Sequence, residues 1–307
     1  MCLSANPVST LSFFAPAKLN LFLAVTGRRP DGFHDLLSLA VTLDFGDTLR
    51  IEPGPLRPAG EAAEFFLACD DAAVPADESN LVLKAARAFA AATGWKGSAK
   101  FALEKRIPMG AGLGGGSSDA VATLRGLNAV AGEPLSPAAL AQVAAELGSD
   151  CPLFLAGGPV VMRGRGERIE RVAAEVAARL RGRRVLVFKP AFGVPTPWAY
   201  ARMVAQPDTY VPAPVAEARL AAWIADGQRP IEELLFNNME HEVFKKFVAL
   251  PVLLRQLRAD FGLIARMSGS GSACFGFLPP GGSAEPIVAA IREAWGASAF
   301  AIEAQVT

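Results

Sequence analysis

The sequence predicts an α+β protein, with strands and helices interspersed in two domains of α/β character. Segments that alternate with the two-residue period of a strand are interspersed with segments of helical spacing along the chain. The chain has 307 residues, which is long enough for two ordinary domains or one large one, and 51% of them are hydrophobic, so a sizeable core is easily built. A Gly157–Gly158–Pro159 break is the expected boundary, which gives domains of residues 1–158 and 159–307.

The first domain is predicted to open with β-prone segments and to continue with helices that carry clear end signals. Asn80 is a suitable N-cap and Gly94 a suitable stop for one helix, and Ser136 caps another that has proline in its first turn. A turn is expected at residues 28–32 and a Pro/Gly-rich surface loop at residues 53–60. The predicted strands are 11–25 (broken at 15–18), 35–43, 48–52 and 98–104, and the predicted helices are 81–93, 120–130 and 136–147.

The second domain is predicted to contain fewer, more widely spaced elements. Short apolar runs predict strands, and longer segments with helical periodicity predict helices. A proline-rich segment at residues 190–197 separates the first of these strands from the helices. The predicted strands are 184–188 and 273–278, and the predicted helices are 231–247, 252–261 and 284–295.

Charge and composition exclude several classes of partner and metal site. Thirty basic residues balance thirty acidic ones, so the chain has no global attraction to nucleic acid or to an anionic membrane. The cysteines Cys2, Cys69, Cys151 and Cys274 are scattered, which argues against a zinc site or a disulfide framework. Only two histidines, His34 and His241, are present, which excludes a histidine-rich metal site.

The N-terminal residues favour a cytoplasmic protein. The first 17 residues are uncharged, whereas a secretory signal places a positive charge before its apolar core. No run of about 20 apolar residues is long enough to cross a bilayer. We therefore expect a cytoplasmic location and no membrane partner. A monomer or a weak homodimer is a separate expectation.

A glycine-rich loop between a predicted strand and a predicted helix is the strongest signal for function. Five glycines fall within residues 110–116, followed by Ser117, Ser118 and Asp119 at the start of a helix. Glycine allows the backbone to approach a ligand closely, and the free N–H groups of a helix N-terminus suit a phosphate. A flexible surface loop is the alternative. The pattern is not a Walker A loop, because Gly116 stands where that motif needs lysine, and G-x-G-x-x-G is met only formally.

The loop resembles the ATP loop of GHMP kinases, a family that includes galactokinase, homoserine kinase and mevalonate kinase. Two other segments resemble the first and third motifs of this family: Ala15–Leu21, which contains Lys18, and Met267–Cys274, a turn of small residues. Taken alone, Lys18 could be a snorkelling strand lysine and the turn an ordinary one. The resemblance implies an N-terminal ATP domain of the ribosomal-S5-domain-2-like type and a ferredoxin-like C-terminal domain. It also implies an ATP-binding segment made of Pro108, Met109, Gly110, Ala111, Gly112, Leu113, Gly114, Gly115, Gly116, Ser117 and Ser118.

Further segments resemble the branch of this family that phosphorylates CDP-methylerythritol in the non-mevalonate isoprenoid pathway. The resemblance extends from residue 11 to about residue 280, and Phe33 stands where many members have tyrosine. The segments are Gly27–His34, Leu147–Pro152, Phe188–Tyr200 and Phe236–Glu240.

This resemblance implies roles for individual residues. Asp150 and Lys18 are the implied catalytic pair, with Asp150 accepting the proton of the substrate hydroxyl. ATP is the implied phosphoryl donor, with Mg²⁺, for which Ser117 and Asp119 are candidate ligands. The expected substrate-binding residues, with Phe33 and Tyr200 stacking on cytosine, are Asn20, Phe33, His34, Tyr200, Gly269, Ser270 and Gly271.

Three alternatives to this function remain at the level of sequence. Another GHMP kinase, acting on homoserine or in the mevalonate pathway, is the nearest. A nucleic-acid-binding protein is more distant; it rests on eight arginines against three glutamates in residues 163–184, a stretch that more often forms a solvated strand pair. The third is a fold that has lost activity, against which Lys18 and Asp150 argue.

Overall fold

The computed structural model describes residues 10–58 and 60–307. Within these ranges no helix is both long enough and apolar enough to cross a membrane. Cys69, Cys151 and Cys274 are free thiols. Cys2 lies outside the described residues, as does the rest of residues 1–9 at the start of the uncharged N-terminal segment. The predicted α+β class is confirmed, because helices accompany both mixed and antiparallel sheets.

Strands and helices are interspersed along the chain, as the sequence predicts. The strands are β1 Leu11–Arg28, β2 His34–Leu56, β3 Glu64–Cys69, β4 Gly97–Glu104, β5 Val160–Arg163, β6 Arg168–Arg171, β7 Arg184–Lys189, β8 Phe236–Asn237, β9 Ala265–Met267, β10 Cys274–Phe277 and β11 Phe300–Gln305. The helices are α1 Leu81–Thr93, α2 Gly115–Val130, α3 Pro137–Leu147, α4 Cys151–Ala156, α5 Ala174–Leu180, α6 Thr196–Ala205, α7 Ala213–Ala225, α8 Ile231–Leu234, α9 Glu240–Lys246, α10 Ala249–Phe261 and α11 Glu285–Trp295.

The chain forms two compact units that each draw on several segments. The first unit contains the described residues up to Ala17, Gly46–Ile107 and Gly114–Leu155. The second contains Lys18–Phe45, Pro108–Leu113 and Ala156–Thr307. The long strands β1 and β2 therefore contribute residues to both units. The division of the chain at residue 158 stays a prediction about domains.

The first unit packs helices against a sheet of order β3-β4-β2. Strand β3 runs parallel to β4, and β4 runs antiparallel to β2 from Thr48↔Glu104 onward. Helix α1 packs on α2 and α3. Helix α2 lies very close to the sheet at Gly126, where a Cβ atom would come within 2.2 Å of the Ile51 side chain. The absence of a side chain at Gly126 therefore allows the helix that begins at the glycine-rich loop to pack closely on the sheet.

The second unit contains an antiparallel sheet of order β11-β7-β10-β9 and the strands that surround the first motif. Strand β1 pairs in parallel with β8 through Leu23↔Asn237, and β2 pairs with β5, which pairs with β6. The core of this unit joins β7, β9 and β10 with α6, α10 and α11, and it includes the fully buried Phe188 and Leu257. Strand β1 contributes Leu23 and Val25 to the same core, which fixes the strand that carries Lys18.

Helix signals at the ends of elements are confirmed in detail. The Asn80 side chain accepts a hydrogen bond from the Val82 backbone N–H, and Gly94 ends α1 with a φ of 70°. The Ser136 side chain accepts from the Ala139 N–H at the start of α3. Local side-chain-to-backbone bonds of this kind depend on sequence neighbours, so the sequence alone reveals them.

Several element boundaries predicted from sequence are wrong. Strand β1 is continuous across Pro16, because proline removes only one N–H from an 18-residue strand. Strand β2 continues through the expected surface loop as far as Leu56, with an irregular register after Pro53. Helix α2 begins at Gly115 rather than at residue 120. The helix expected over 231–247 is interrupted by β8, whose two residues pair with β1.

Candidate functional site

Lys18 lies in β1 on the same face as Asn20, because alternate residues of a strand point to the same side. Its side chain is buried, and its Nζ donates to Asn20 Oδ1 at 2.5 Å. The Asn20 Nδ2 donates in turn to Ser38 Oγ at 2.9 Å. Burying an ammonium group is costly unless it is hydrogen-bonded, so Asn20 and Ser38 help to hold the Lys18 cation in this position.

The start of the glycine-rich loop and the 267–274 turn meet beside Lys18. Ser268 Oγ donates to the Gly112 carbonyl oxygen at 3.0 Å, and the Lys18 N–H donates to the Leu113 carbonyl oxygen at 2.9 Å. A Cβ atom on Gly269 would lie 3.4 Å from Lys18 Nζ. The structure thus brings together residues from all three predicted motifs: Lys18 and Asn20, Gly112, and Gly269.

Glycine is required at Gly112 for two separate reasons. Its φ is +76°, in the left-handed region, and a Cβ atom there would lie 2.1 Å from the Ser268 carbonyl oxygen. Gly269 and Gly271 in the facing turn also have positive φ, and the Gly271 N–H donates to the Ser268 carbonyl at 3.0 Å. Two glycine turns can therefore approach each other more closely than side chains would allow.

Ser270, in the same turn, contacts a residue that sequence reasoning did not assign to the site. Its Oγ lies 2.7 Å from Thr196 Oγ1, and Ser270 is 7% exposed. Thr196 is the first residue of α6 and the threonine of the Pro-Thr-Pro segment. The nearest signal in the sequence was the family resemblance of residues 188–200, which gave no role to this hydroxyl.

The end of the glycine-rich loop forms the N-terminus of α2. Gly114 adopts a left-handed φ of 75° as the residue before the helix, and no side chain caps its first turn. The free N–H groups of that turn and the helix dipole favour an anion. Ser117 is half-buried, whereas Ser118 and Asp119 are buried, with Ser118 Oγ and Asp119 Oδ1 lacking a hydrogen-bond partner among the described atoms.

A buried cluster of three charged side chains, Lys105, Asp47 and Asp119, holds the first turns of α2. Lys105 Nζ donates to Asp47 Oδ2 at 2.5 Å and to Asp119 Oδ2 at 2.8 Å. Asp47 Oδ1 also accepts from the backbone N–H groups of Arg106 and Ile107. Sequence reasoning missed the roles of Lys105 and Asp47, since nothing in their spacing indicates that they meet Asp119.

Burial and charge shift the pKa values in this cluster. Burial raises the pKa of Asp119 to about 7, an effect that Lys105 opposes and Asp47 reinforces. Burial alone would lower the pKa of Lys105, but the two carboxylates raise it above its usual value. The lysine therefore stays charged and neutralises part of the negative charge beneath the helix start.

Asp150 immediately precedes the short helix α4 and is half-buried. Its neighbour Cys151 is fully buried, and burial raises the pKa of that thiol to about 11, with a smaller contribution from the Asp150 charge. Cys151 is therefore a protonated packing residue, and Asp150 is the residue of this segment with a carboxylate for chemistry.

His34 is at the centre of a group of aromatic rings. It is 9% exposed, it stacks on Tyr200 with ring centroids 4.6 Å apart, and its Nε2 lies 3.1 Å from the Tyr210 hydroxyl. Burial, and secondarily the Arg28 charge, lowers the His34 pKa, which favours a neutral imidazole. Sequence reasoning missed Tyr210, although it is one of only two tyrosines in the chain and both contact His34.

Phe33 has a different environment from its neighbour His34. Its side chain is 50% exposed, and the Arg165 guanidinium lies 4.5 Å from the ring centroid. The ring that stacks on Tyr200 in this structure is His34. The exposed Phe33 ring offers a flat apolar surface next to a cation.

Several arginines of the 163–184 stretch are engaged within the protein. Arg163 pairs with Glu170 and Glu217 at 2.9 and 2.8 Å. Arg184 pairs with Glu303, and the Arg179 guanidinium lies 3.9 Å from the Trp223 ring centroid. These contacts spread the positive charge of this stretch over several protein partners.

Comparisons with known proteins agree with the arrangement of these motifs. The model of the GHMP kinases N terminal domain matches residues 80–158, and that of the GHMP kinases C terminal domain matches residues 224–297. The 4-diphosphocytidyl-2-C-methyl-D-erythritol kinase of Synechococcus elongatus is 36% identical over 299 residues, which cover 94% of this chain and 92% of that protein.

Solved structures give the same result for the fold. A crystal structure of 4-(cytidine 5'-diphospho)-2C-methyl-D-erythritol kinase superimposes with a TM-score of 0.74 at 36% identity, covering 96% of this chain and 99% of that chain. Homoserine kinase from Cytophaga hutchinsonii gives a TM-score of 0.69 at 17% identity, covering 100% of this chain and 96% of that chain. The second similarity concerns the fold alone.

Proposed function

Because the chain belongs to the 4-diphosphocytidyl-2-C-methyl-D-erythritol kinase family of the GHMP kinases, we propose that it phosphorylates the 2-hydroxyl of 4-(cytidine 5'-diphospho)-2-C-methyl-D-erythritol. ATP supplies the γ-phosphoryl group, and the products are the 2-phosphate and ADP. The reaction belongs to the non-mevalonate isoprenoid pathway.

The observation that carries this proposal is the meeting of three motifs around Lys18. The cation lies beside Gly112 of the ATP loop and Gly269 of the third motif, held by Asn20. A fixed positive charge next to backbone turns that exclude side chains suits a transferring phosphoryl group. Positioning and electrostatic stabilisation supply most of the catalysis in phosphoryl transfer, because its transition state is loose.

In the proposed reaction Asp150 orients the substrate hydroxyl and accepts its proton. The hydroxyl oxygen forms a bond to the γ-phosphorus as the bond from phosphorus to the ADP oxygen breaks. Lys18 stabilises the negative charge near the transferring group, while Asn20 positions the substrate. Support comes from the buried, hydrogen-bonded state of Lys18 and from the family resemblance of residues 147–152.

ATP binding is assigned to residues 108–118. The free N–H groups at the start of α2 suit its phosphates. Mg²⁺ is proposed to arrive as part of MgATP, since the described residues hold no group of three or more metal-ligating side chains and Mg²⁺ is often bound mainly through phosphates and water. Ser117 remains a candidate ligand; Asp119 suits this role less well, because one of its oxygens is bonded to Lys105 and the side chain is buried.

The cytosine base is assigned to the aromatic group of the second unit. His34 and Tyr200 already form a stack, and Phe33 presents an exposed ring close by in sequence. Ser270 and its flanking glycines are assigned to the substrate as well. A base needs a stacking surface and hydrogen bonds to its edge, which a kinase acting on homoserine or mevalonate does not need.

A comparison of acceptor alcohols tests the proposed function directly. ADP release would be measured with CDP-methylerythritol, mevalonate, phosphomevalonate and homoserine as separate substrates. We expect release only with CDP-methylerythritol, and competition by CDP against that substrate but not against ATP. Turnover of homoserine or mevalonate in its place would assign the chain to another GHMP activity. A cytoplasmic location and a monomeric or weakly dimeric state remain predictions.

A further inference from the structure

Two adjacent buried asparagines, Asn237 and Asn238, connect three separate segments of the second unit. They are 4% and 8% exposed, and they follow Phe236 at the point where β8 pairs with β1. An amide side chain is costly to bury unless its donors and acceptor are paired. Both N–H donors and the oxygen acceptor of each amide form hydrogen bonds, and the partners of the two amides lie in different segments.

Asn237 is bonded to the turn that lies beside Lys18. Its Nδ2 donates to the carbonyl oxygens of Met267 and Gly269, both at 2.8 Å. Its Oδ1 accepts from the Met239 N–H at 3.0 Å. Because Gly269 approaches Lys18 and the Gly112 carbonyl so closely, a displacement of this turn changes the surroundings of the cation.

Asn238 is bonded to a segment that leads to the aromatic group. Its Oδ1 accepts from the Val25 N–H and its Nδ2 donates to the Val25 carbonyl, both at 2.9 Å, as a neighbouring strand residue would do. The same Nδ2 donates to the Thr209 carbonyl at 2.9 Å. The next residue is Tyr210, whose hydroxyl contacts His34 Nε2 at 3.1 Å.

We propose that Asn237 and Asn238 are positioning residues for the two ends of the substrate. Asn237 fixes the Gly269 turn beside Lys18, where the phosphoryl group is transferred. Asn238 fixes the 209–211 backbone and thereby Tyr210, which orients the His34 imidazole that stacks on Tyr200. The assignment of these ends to the phosphoryl group and the base rests on the proposed function.

An amide suits both positions, because each side chain donates two hydrogen bonds and accepts one, whereas a hydroxyl has a single donor. An aspartate has the same shape but places a second acceptor against two carbonyl oxygens. Asn237→Asp and Asn238→Asp are therefore matched variants: each loses two donated hydrogen bonds and keeps one accepted bond. A purely structural role would make their effects similar.

The test measures kcat and KM for CDP-methylerythritol in the parent and in both variants, with Tm as a record of stability. For Asn237→Asp we expect kcat to fall by about 10²-fold, the effect of a small misplacement of a reacting group, with a much smaller change in KM. For Asn238→Asp we expect KM to rise by about tenfold, a partial loss of base stacking, with a much smaller change in kcat.

Milder variants cover the case in which an aspartate variant does not fold. Asn237→Ser and Tyr210→Phe remove fewer bonds, and we expect the first to lower kcat and the second to raise KM. If both variants changed kcat and KM to the same extent, in proportion to the fall in Tm, the asparagines would only hold the fold. The proposed function would stand in that case, because the parent enzyme would still act on CDP-methylerythritol. A parent that acts only on another alcohol would overturn the proposed function and the base half of the inference, while kcat with that alcohol would still decide the role of Asn237.

Discussion

A Cβ atom on Gly112 would lie 2.1 Å from the carbonyl oxygen of Ser268, so the glycine-rich loop and the facing turn leave no room for a side chain there. Gly110, two residues earlier, also has a positive φ, +60°, but a Cβ atom there meets nothing within 4 Å. A comparison of substitutions at Gly110 and Gly112 therefore separates the effect of backbone strain from that of a steric clash.

We expect Gly112→Ala to weaken ATP binding by at least about tenfold, because the clash must displace the loop or the turn. Gly110→Ala should show only the cost of a left-handed backbone, about 1 kcal/mol in stability. Calorimetric titration with ATP and thermal unfolding of both variants would measure these effects. Equal ATP affinities in the two variants would show that the contact with Ser268 does not matter for binding.

Lys18 and Asp150 are predicted to act as one catalytic unit. Asp150→Asn keeps the shape and removes the charge, so kcat should fall by about 10²–10⁴-fold, the usual range for a lost acid–base group. Lys18→Met should lower kcat to a similar extent, and the double variant should be far from additive. ATP affinity serves as the control, because the glycine-rich loop is unchanged. Near-normal turnover by Asp150→Asn would remove Asp150 from the mechanism.

Tyr200 is predicted to bind the base through its ring. Tyr200→Ala should raise KM for CDP-methylerythritol by an amount equivalent to about 1–3 kcal/mol, as for base–aromatic stacking elsewhere. Tyr200→Phe keeps the stack on His34 and should change KM much less. Inhibition by CDP, measured for both variants, gives the same comparison without turnover. An unchanged KM in Tyr200→Ala would mean that the base binds elsewhere.

Lys105 is predicted to be essential for the stability of the first unit. Lys105→Met leaves the buried Asp47 and Asp119 without their cation, and breaking a buried ion pair in this way costs about 3–5 kcal/mol. Lys100→Met is the matched control: Lys100 lies in β4, is exposed, and is 3.9 Å from Glu52, so its loss should cost less than about 1 kcal/mol. Urea unfolding of both variants would distinguish a buried cluster from surface pairs.

Glu240 is predicted to make stability depend on pH. Burial raises its pKa to about 7 in the folded protein, against about 4.5 for the free group. The folded state then binds more protons than the unfolded state between these values, so its contribution to stability falls as pH rises from about 4.5 to 7. Glu240→Gln keeps the acceptor for the Met267 N–H and removes the free-energy cost of burying an ionised carboxylate. We expect the variant to be about 1–3 kcal/mol more stable than the parent at pH 8, and equal to it below about pH 4.

Glu303→Gln is the control for this pH effect because its shift has the opposite sign. The hydrogen bond from Arg184 lowers the pKa of Glu303, so its ionised form stabilises the folded protein above its usual pKa. The variant should be slightly less stable than the parent at pH 8, and the difference should vanish at low pH. Tm measured from about pH 3 to 8 tests both variants, because both effects disappear only below about pH 4.5. A Glu240→Gln curve parallel to that of the parent would show that Glu240 does not titrate in this range.

Local signals in the sequence located many element ends but not all pairings. The Asn80 cap and the Gly94 stop act on their immediate neighbours, so they could be identified from the sequence. The interruption of the helix expected over 231–247 could not, because it depends on β1, more than two hundred residues away in the chain. There the pairing of Asn237 and Asn238 with distant backbone outweighs the local helical pattern.

Short motifs with fixed spacing along the chain were enough to identify the family, the α+β class, the glycine-rich loop and the candidates Lys18, Asp150 and His34. The folded structure was needed to show that Asn20 holds Lys18, that Lys105 joins Asp47 to Asp119, and that His34 contacts both Tyr200 and Tyr210. Buried polar groups must find hydrogen-bond partners, and the fold supplies those partners from segments whose separation in sequence carries no signal.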